Sequence, residues 1–484
     1  MNIALLHPNP DSLYDGLSLG YRSNQRVPET WAAVLDSWQR EYAKKSHRLV
    51  VLNPYDSNDV LAQKAAEFDL LGMADWYSNH MNCMEIACKA KQHNPELKTV
   101  LGGSNASLTA PQTMKNHGYI DFIISRDGAD AFVGLVDDVT PASIPNLWYR
   151  SGQELRRTFL EGQEQRIAIE RLPLLDFRNF EHAEARMEDY LAMIRQDNYD
   201  PWLVSPICMF GCVGCEKAIQ EGPCSFCYQN TTGATMSAEK LWKQVTHLDG
   251  LYAPGVKKII YMADDIFVTS IERVRALALT KPQGVNIGIR AYGFLPYLTG
   301  LQDKDLASLA KFLKQIGVFN LFFGSENYDN NLVQKMNKKP TSVEDAKRVV
   351  AALYEYGCVK STMSYIIGYS GENKMSLEQN LRSLEEFVKL DGALERLYIS
   401  RAIPFKGTPW CKELEANAGL AEQYLCRTGK VLVDDDYPDY EVLSDLAITM
   451  TTEISLADAQ EYIERMQGIA DGLPQGGFLL RSKS

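Results

Sequence analysis

The chain has 484 residues, 45% of them hydrophobic and 23% charged, the composition of an ordinary globular protein with room for two or three domains. Its formal net charge of −12 argues against a general polyanion binder, which needs clustered Lys and Arg, so nucleic acid is not an expected partner. Apolar runs such as residues 258–262 and 364–369 fall far short of the roughly 20 residues that span a bilayer. The opening MNIALLHP has no basic segment before a long apolar stretch, so the expected location is the cytoplasm, with no membrane partner.

The first 140 residues alternate short β-like runs (2–6, 48–52, 69–74, 99–101, 121–125) with amphipathic helical ones (28–42, 58–68, 83–92). This predicts an α/β, doubly wound, Rossmann-like domain over 1–140, with ligand loops after the strands at 7–14, 75–80 and 102–107. Residues 141–200 lack long periodic segments and read as a linker that packs on its neighbours. From 201 a second series begins, with strands at 202–205, 258–262, 285–290, 321–323, 364–367 and 397–402. Helices are expected between them at 237–248, 271–280, 304–316, 343–356 and 377–389. Six strands with intervening helices predict a partial (β/α)6, TIM-like barrel over 201–409, whose chemistry belongs at the strands' carboxyl ends. Residues 410–484 form a short, mainly helical C-terminal region containing an acidic stretch (433–441) and a helix (455–468).

Cys83, Cys88, Cys358, Cys411 and Cys426 are scattered and read as packing residues, whereas the other five of the ten cysteines lie together. The segment SPICMFGCVGCEKAIQEGPCSFCYQ holds Cys208, Cys212 and Cys215 as CxxxCxxC, then Cys224 and Cys227 as CxxC. In a chain without a secretory signal such spacing points to a metal rather than to disulfides. Thiolates are the ligands of iron–sulfur clusters, and a cluster held by three of them keeps one iron open to a small molecule. The segment resembles the radical S-adenosylmethionine (AdoMet) superfamily, which holds a [4Fe-4S] cluster in this way. Two ligand sets stay open. Cys208, Cys212 and Cys215 match the literal motif, and Ser205 stands where the approach to it lies. Cys215, Cys224 and Cys227 match through an expanded first gap, and Phe226 supplies the aromatic residue that commonly precedes the third ligand, where Gly214 does not. A zinc site built from Cys212/Cys215 and Cys224/Cys227 in a non-catalytic binding protein is the alternative from another class.

Further elements follow in the family's order over roughly residues 1–410. MADDIF (262–267) resembles the element that holds the AdoMet amine, which implies roles for Asp264 and Asp265. FFGSENYDNNLVQKMNKKPT (322–341) resembles a stretch whose glutamate lies near the AdoMet ribose, which implies Ser325 and Glu326. YIIGYSGEN (365–373) resembles the adenine-contacting turn, implying Gly368, although Ser370 replaces the usual proline. Arg290 could pair with the AdoMet carboxylate or close the barrel against a structural acid. IPFKGTPW (403–410) resembles the closing segment.

DLLGMADWYSN (69–79), NPELKTVLGGSNAS (94–107) and GYIDFIISRDGADAFVGLV (118–136) resemble three strand units of a cobalamin-binding domain. This implies cobalamin contacts at Gly102, Gly103, Ser104 and Ser107, with Trp76 covering the lower face, because the DxHxxG element carrying the axial histidine is absent. The resemblance implies a radical AdoMet enzyme that forms a 5′-deoxyadenosyl radical, and cobalamin-dependent C-methylation of a small molecule, with an electron donor such as flavodoxin or ferredoxin as partner. The alternative within the family is a vestigial cobalamin domain and a rearrangement, cyclisation or alkyl transfer.

Overall fold

The computed structural model describes residues 1–9, 30–160, 162–181, 207–227, 234–250, 259–390, 392–473 and 478–479. The expected strand at 202–205, Ser205, residues 10–14 of the first loop and the first two residues of the helix at 28–42 lie outside them. The chain divides into two compact units, one of residues 1–207 with Val433–Tyr437, the other of Cys208–Leu432 with Pro438–Lys483.

The first unit is a doubly wound sheet. Its elements are β1 (Asn2–Leu6), α1 (Thr30–Tyr42), β2 (Arg48–Val51), α2 (Asn58–Ala65), β3 (Leu70–Ala74), α3 (His80–His93), β4 (Lys98–Gly102), α4 (Ser104–Asn116), β5 (Phe122–Ile124), α5 (Ala129–Val136), β6 (Leu147–Ser151) and β7 (Glu154–Arg157). The strand order is β2-β1-β3-β4-β5-β6-β7, parallel through β5 and antiparallel after it. All five residues of β3 are buried, as a central strand covered on both faces requires. Leu71, Met73, Leu101 and Ile123 join Ile86 and Ala87 of α3 and Ala106 and Ala110 of α4 in one core.

Residues 141–181 are not a linker. β6 and β7 extend the sheet, and Val51 donates its N–H to Asn179 O at 2.8 Å. The four-residue β7 has three exposed residues, so its sequence carries no buried-strand signature. Helix α4 contains Pro111, whose ring interrupts the helical pattern, and it too escaped the sequence reading.

The second unit opens with β8 (Ile207–Met209), β9 (Cys212–Val213), α6 (Glu216–Glu221) and β10 (Ala234–Thr235). A repeating series follows: α7 (Ala238–Asp249), β11 (Ile259–Met262), α8 (Ile271–Thr280), β12 (Gly288–Gly293), α9 (Leu295–Thr299), α10 (Asp303–Ile316), β13 (Val318–Glu326), α11 (Asn330–Lys335), α12 (Val343–Gly357), β14 (Lys360–Ile367), α13 (Lys374–Phe387) and β15 (Leu394–Arg401). It ends with α14 (Pro409–Ala416), α15 (Ala418–Thr428), α16 (Tyr440–Thr451), α17 (Leu456–Asp471) and β16 (Phe478–Leu479).

The sheet order β16-β15-β14-β13-β12-β11-β8 leaves β16 and β8 as edges, so the barrel is partial. Its seventh strand, β16, lies parallel to β15 and was not foreseen. Helix starts are fixed locally: Ser237, Ser270, Ser342 and Asn373 each accept a first-turn backbone N–H through the side chain. The C-terminal helices pack Trp410, Leu414, Tyr424 and Leu443 on Met336 and Tyr369.

Candidate functional site

The cysteine-bearing segment leaves the sheet directly after β8. Its base is closed by the β9–β10 pair, Cys212 opposite Thr235. Asp264, just past β11, is fully buried, and its Oδ1 accepts the N–H groups of Gly211 and Cys212, each at 2.6 Å. Burial raises this carboxyl to about 6, against Arg273 and the two N–H donors, which lower it. Asp264 therefore holds the cysteine loop, a role different from the AdoMet contact its motif implies.

Burial lifts Cys208 to about 12, and its thiol lies within electrostatic reach of Tyr261 and Tyr292, whose hydroxyls are hydrogen-bonded to each other. The Cys212 thiol donates to Ile266 O at 3.3 Å and is raised by burial and by Asp264. Cys215 precedes α6; burial raises it, the N–H groups of Ala218 and Lys217 lower it, and Cys224 is close enough to raise it further. Cys224 is raised by burial and lowered by the ammonium groups of Lys338 and Lys217. The Cys227 N–H donates to Cys224 O at 3.0 Å, closing the turn that brings the last two cysteines together.

That turn is anchored to the strand ends. Ser225 N–H donates to Met336 O at 3.0 Å, Trp410 N–H to Ser225 O at 2.8 Å, and Ser225 Oγ lies 2.6 Å from Tyr369 Oη. Phe226 packs on the Met336–Tyr369–Trp410 core.

At the end of β13 a bulge between Gly324 and Glu326 turns the Glu326 carboxylate back over the strand. A Cβ at Gly324 would sit 2.4 Å from Glu326 Oε1, so a side chain there would displace the carboxylate. Lys338 Nζ donates to Glu326 Oε1 and to Gly324 O, both at 2.8 Å, and Ser364 Oγ to Glu326 Oε2 at 3.2 Å. Burial works against the Lys338 charge, but Glu326, Cys224 and Cys227 outweigh it and raise the ammonium. Ser325, half-buried, offers its carbonyl to Asn327 N–H at 2.6 Å. Gly368, at φ +94, has its N–H on Glu372 Oε2, and a Cβ there would meet Ile448 at 2.7 Å. Asp265 is half-buried and raises both Cys212 and Cys215.

Arg290 lies inside β12, 1% exposed, with Nη2 3.2 Å from Glu395 Oε1 and its guanidinium over the Phe319 ring. Asn320 also donates to Glu395. This is the barrel-closing arrangement, and it commits Arg290 to a structural acid instead of a ligand.

In the first unit the strand order reverses between β1 and β3, and a ligand of such a sheet sits beyond the carboxyl ends of those strands. There the His7 ring lies 6.0 Å from Trp76 and 6.5 Å from Trp31. Trp31 Nε1 is buried and lacks a hydrogen-bond partner among the described residues. Asn79 accepts Trp76 N–H at 2.8 Å and donates to Pro8 O and Ala74 O, tying the two strand ends together. Gly103, at φ +106 and ψ −179, passes so near the Asp75 carbonyl that a Cβ would lie 2.6 Å away. The first turn of α4, beginning at Ser104, has no side-chain cap at Gly103. Gly102 faces open space. The Ser107 hydroxyl donates to Gly103 O at 2.7 Å and accepts Arg126 N–H, so the backbone already uses it.

Sequence reasoning missed Lys338, Trp31 and the tyrosine pair. Lys338 stands inside the quoted 322–341 stretch, but its Glu326 contact spans a turn that periodicity does not reveal.

The profile of the Radical SAM superfamily matches residues 202–384. A curated protein of Pyrococcus horikoshii described as an uncharacterized methyltransferase is 23% identical over 345 residues, 70% of this chain and 68% of that protein. Among solved structures, the cobalamin-dependent S-adenosylmethionine radical enzyme OxsB, with aqua-cobalamin and S-adenosylmethionine bound, superposes with a TM-score of 0.69 at 13% identity. The match covers 95% of this chain and 65% of OxsB, so the chain spans just under two thirds of that relative. The radical S-adenosylmethionine methyltransferase TsrM of Kitasatospora setae, with cobalamin and a [4Fe-4S] cluster bound, has a TM-score of 0.58 at 14% identity over 88% of this chain and 78% of its own. At such identities the structures establish a shared fold.

Proposed function

From the match of residues 202–384 to the Radical SAM superfamily profile, we propose that the chain is a cobalamin-dependent radical AdoMet enzyme that methylates carbon in a small molecule. The observation that supports the proposal is that Cys215 lies within electrostatic reach of Cys224, and Cys224 and Cys227 within reach of the Lys338 ammonium that pairs with Glu326, at the carboxyl end of a partial parallel barrel. Soft thiolate donors fit an iron–sulfur cluster, and Cys215, Cys224 and Cys227, with the aromatic Phe226 before the third, are assigned as its ligands.

When bound, the cluster with AdoMet supplies a 5′-deoxyadenosyl radical, and cobalamin supplies the methyl carrier. The chain's own share is placement. Lys338 lowers the charge cost of gathered thiolates and fixes Glu326, whose carboxylate is assigned to the AdoMet ribose. Gly368 permits the close backbone approach that a flat adenine needs, and Glu372 holds that turn. Asp265 and Ser325 are assigned to the methionyl end and Phe226 to the wall of the same site. In the first unit, the start of α4 at Ser104 is assigned to the nucleotide tail, which Gly102 and Gly103 let approach, although the Asn105 N–H there is already donated to Asp75 O at 3.2 Å. Trp76, beside His7, covers the corrin face that has no DxHxxG histidine.

Substituting each of the five clustered cysteines by alanine and measuring iron and sulfide after anaerobic reconstitution tests the assignment. Loss in the variants at 215, 224 and 227, with retention at 208 and 212, is expected. A retained cluster in Cys227→Ala sinks the ligand set, and a wild-type chain holding zinc but no iron sinks the enzyme. Corrinoid retained by the wild-type chain is expected as well, and its failure to bind favours rearrangement or alkyl transfer without cobalamin.

A further inference from the structure

Within the first unit, two histidines that take no part in the sites above aim at one carboxylate oxygen. His80 Nε2 lies 3.0 Å and His117 Nε2 2.9 Å from Asp436 Oδ2. Both rings are held from behind: His80 Nδ1 is 3.0 Å from Asp75 Oδ1, to which Asn105 also donates, and His117 Nδ1 is 2.8 Å from Tyr119 Oη. Asn116 Nδ2 occupies the other oxygen of Asp436 at 2.7 Å, so only Oδ2 faces the histidines. Tyr437 stacks on the His80 ring with centroids 5.1 Å apart. His80 and Asp75 are fully buried, Asp436 is 5% exposed, and His117 keeps 21% of its side chain in solvent.

We propose that His80, His117 and Asp436 form a binding site for a divalent transition cation of the zinc type, with solvent in the fourth position on the His117 side. A metal-ligating imidazole ordinarily donates its second N–H to a carboxylate or other oxygen, which fixes its tautomer and ring plane; Asp75 and Tyr119 stand in those positions. Two imidazoles and one carboxylate suit zinc and its first-row neighbours, whereas calcium and magnesium demand oxygen-rich shells. The charge balances, because two enclosed carboxylates, Asp75 and Asp436, meet one dication across two neutral rings. The three ligand atoms already lie within 4.8 Å of one another, the two histidine–carboxylate contacts being the close ones. Metal bonds of about 2.0–2.2 Å place tetrahedral ligands about 3.3 Å apart, a few tenths of an ångström beyond the present contacts.

Such a site explains why Val433–Tyr437 belongs to the first unit although it follows the ligands by more than 300 residues, 356 from His80 and 319 from His117. Besides the trio, the segment is held by Asn116 on the other Asp436 oxygen and by Tyr437 stacked on His80, and also by the exposed Lys115–Asp434 pair and the contacts of Gln112 and Asn116 with backbone carbonyls. Exposed contacts of this kind contribute little, while a metal closing a long loop fastens it strongly.

The test uses the full-length, cluster-reconstituted chain equilibrated with zinc and desalted, read by elemental analysis and zinc K-edge X-ray absorption. One zinc per chain in a nitrogen–oxygen shell with imidazole scattering is expected. His117→Ala and Asp436→Asn should each lower zinc retention about tenfold or more, and Asp75→Asn about 10- to 100-fold in affinity, with iron content unchanged. Absence of zinc from the wild-type chain, a sulfur-containing shell, or undiminished zinc in the variants overturns the proposal. If a variant fails to fold, the wild-type spectrum decides. A wild-type chain without zinc means that protons, not a metal, bridge the trio.

Discussion

Glu372 is fully buried, with Gly368 N–H on one oxygen and Asn327 Nδ2 on the other at 3.0 Å. Burial outweighs these donors and raises the carboxyl from 4.5 to about 7. A carboxyl raised on folding favours the fold below its unfolded value and loses that contribution as pH climbs through the folded one. The loss is about 3 kcal/mol between pH 4.5 and about 7. The melting temperature of the wild-type chain should therefore fall over this window relative to Glu372→Gln, which cannot titrate there. Parallel melting curves across pH would contradict the assignment. Asp264 is the other decisive carboxylate. Asp264→Ala leaves two enclosed N–H groups without an acceptor, a cost of about 1–3 kcal/mol each, and should lower reconstituted iron by loosening the cysteine loop. Iron content equal to wild type would sever that link. The MADDIF motif was legible in the sequence, but the direction of each side chain was not, because spacing cannot say that Asp264 turns toward Gly211.

Among the elements, the turn entering α4 carries the sharpest demand. Gly103 adopts a backbone conformation that is essentially confined to glycine, and Gly103→Ala adds a Cβ against the Asp75 carbonyl. The expected cost is about 2 kcal/mol or more, with corrinoid retention lost; a variant as stable as wild type and still binding corrinoid would remove Gly103 from the site. The parallel strands were legible because buried strands carry continuous apolar runs, as in β3 and β11. The exposed β7, the Pro-containing α4 and the two-residue β16 gave no periodic signal. Arg290 shows the same limit at the site: its place on β12 was readable, but its pairing with Glu395 required the register of distant strands.

Across the whole molecule, both α/β units were legible, and the cysteine-bearing series of strands and helices lies within the stretch that matches the Radical SAM superfamily profile, residues 202–384. What was not legible is contact over hundreds of residues, of which the return of Val433–Tyr437 to the first unit is the clearest case. Within the acidic stretch at 433–441 Asp436 is buried, and the histidines and Asn116 hold its carboxyl far below the usual carboxylate range despite burial. Among the described residues no helix is long and apolar enough to cross a membrane. The central claim, radical methylation with cobalamin, is tested most directly by incubating the cluster- and corrinoid-loaded chain anaerobically with AdoMet and a reductant. Candidate small molecules are included, and 5′-deoxyadenosine and S-adenosylhomocysteine are quantified in the same sample. Both products are predicted to form together; 5′-deoxyadenosine alone, or neither, would contradict it.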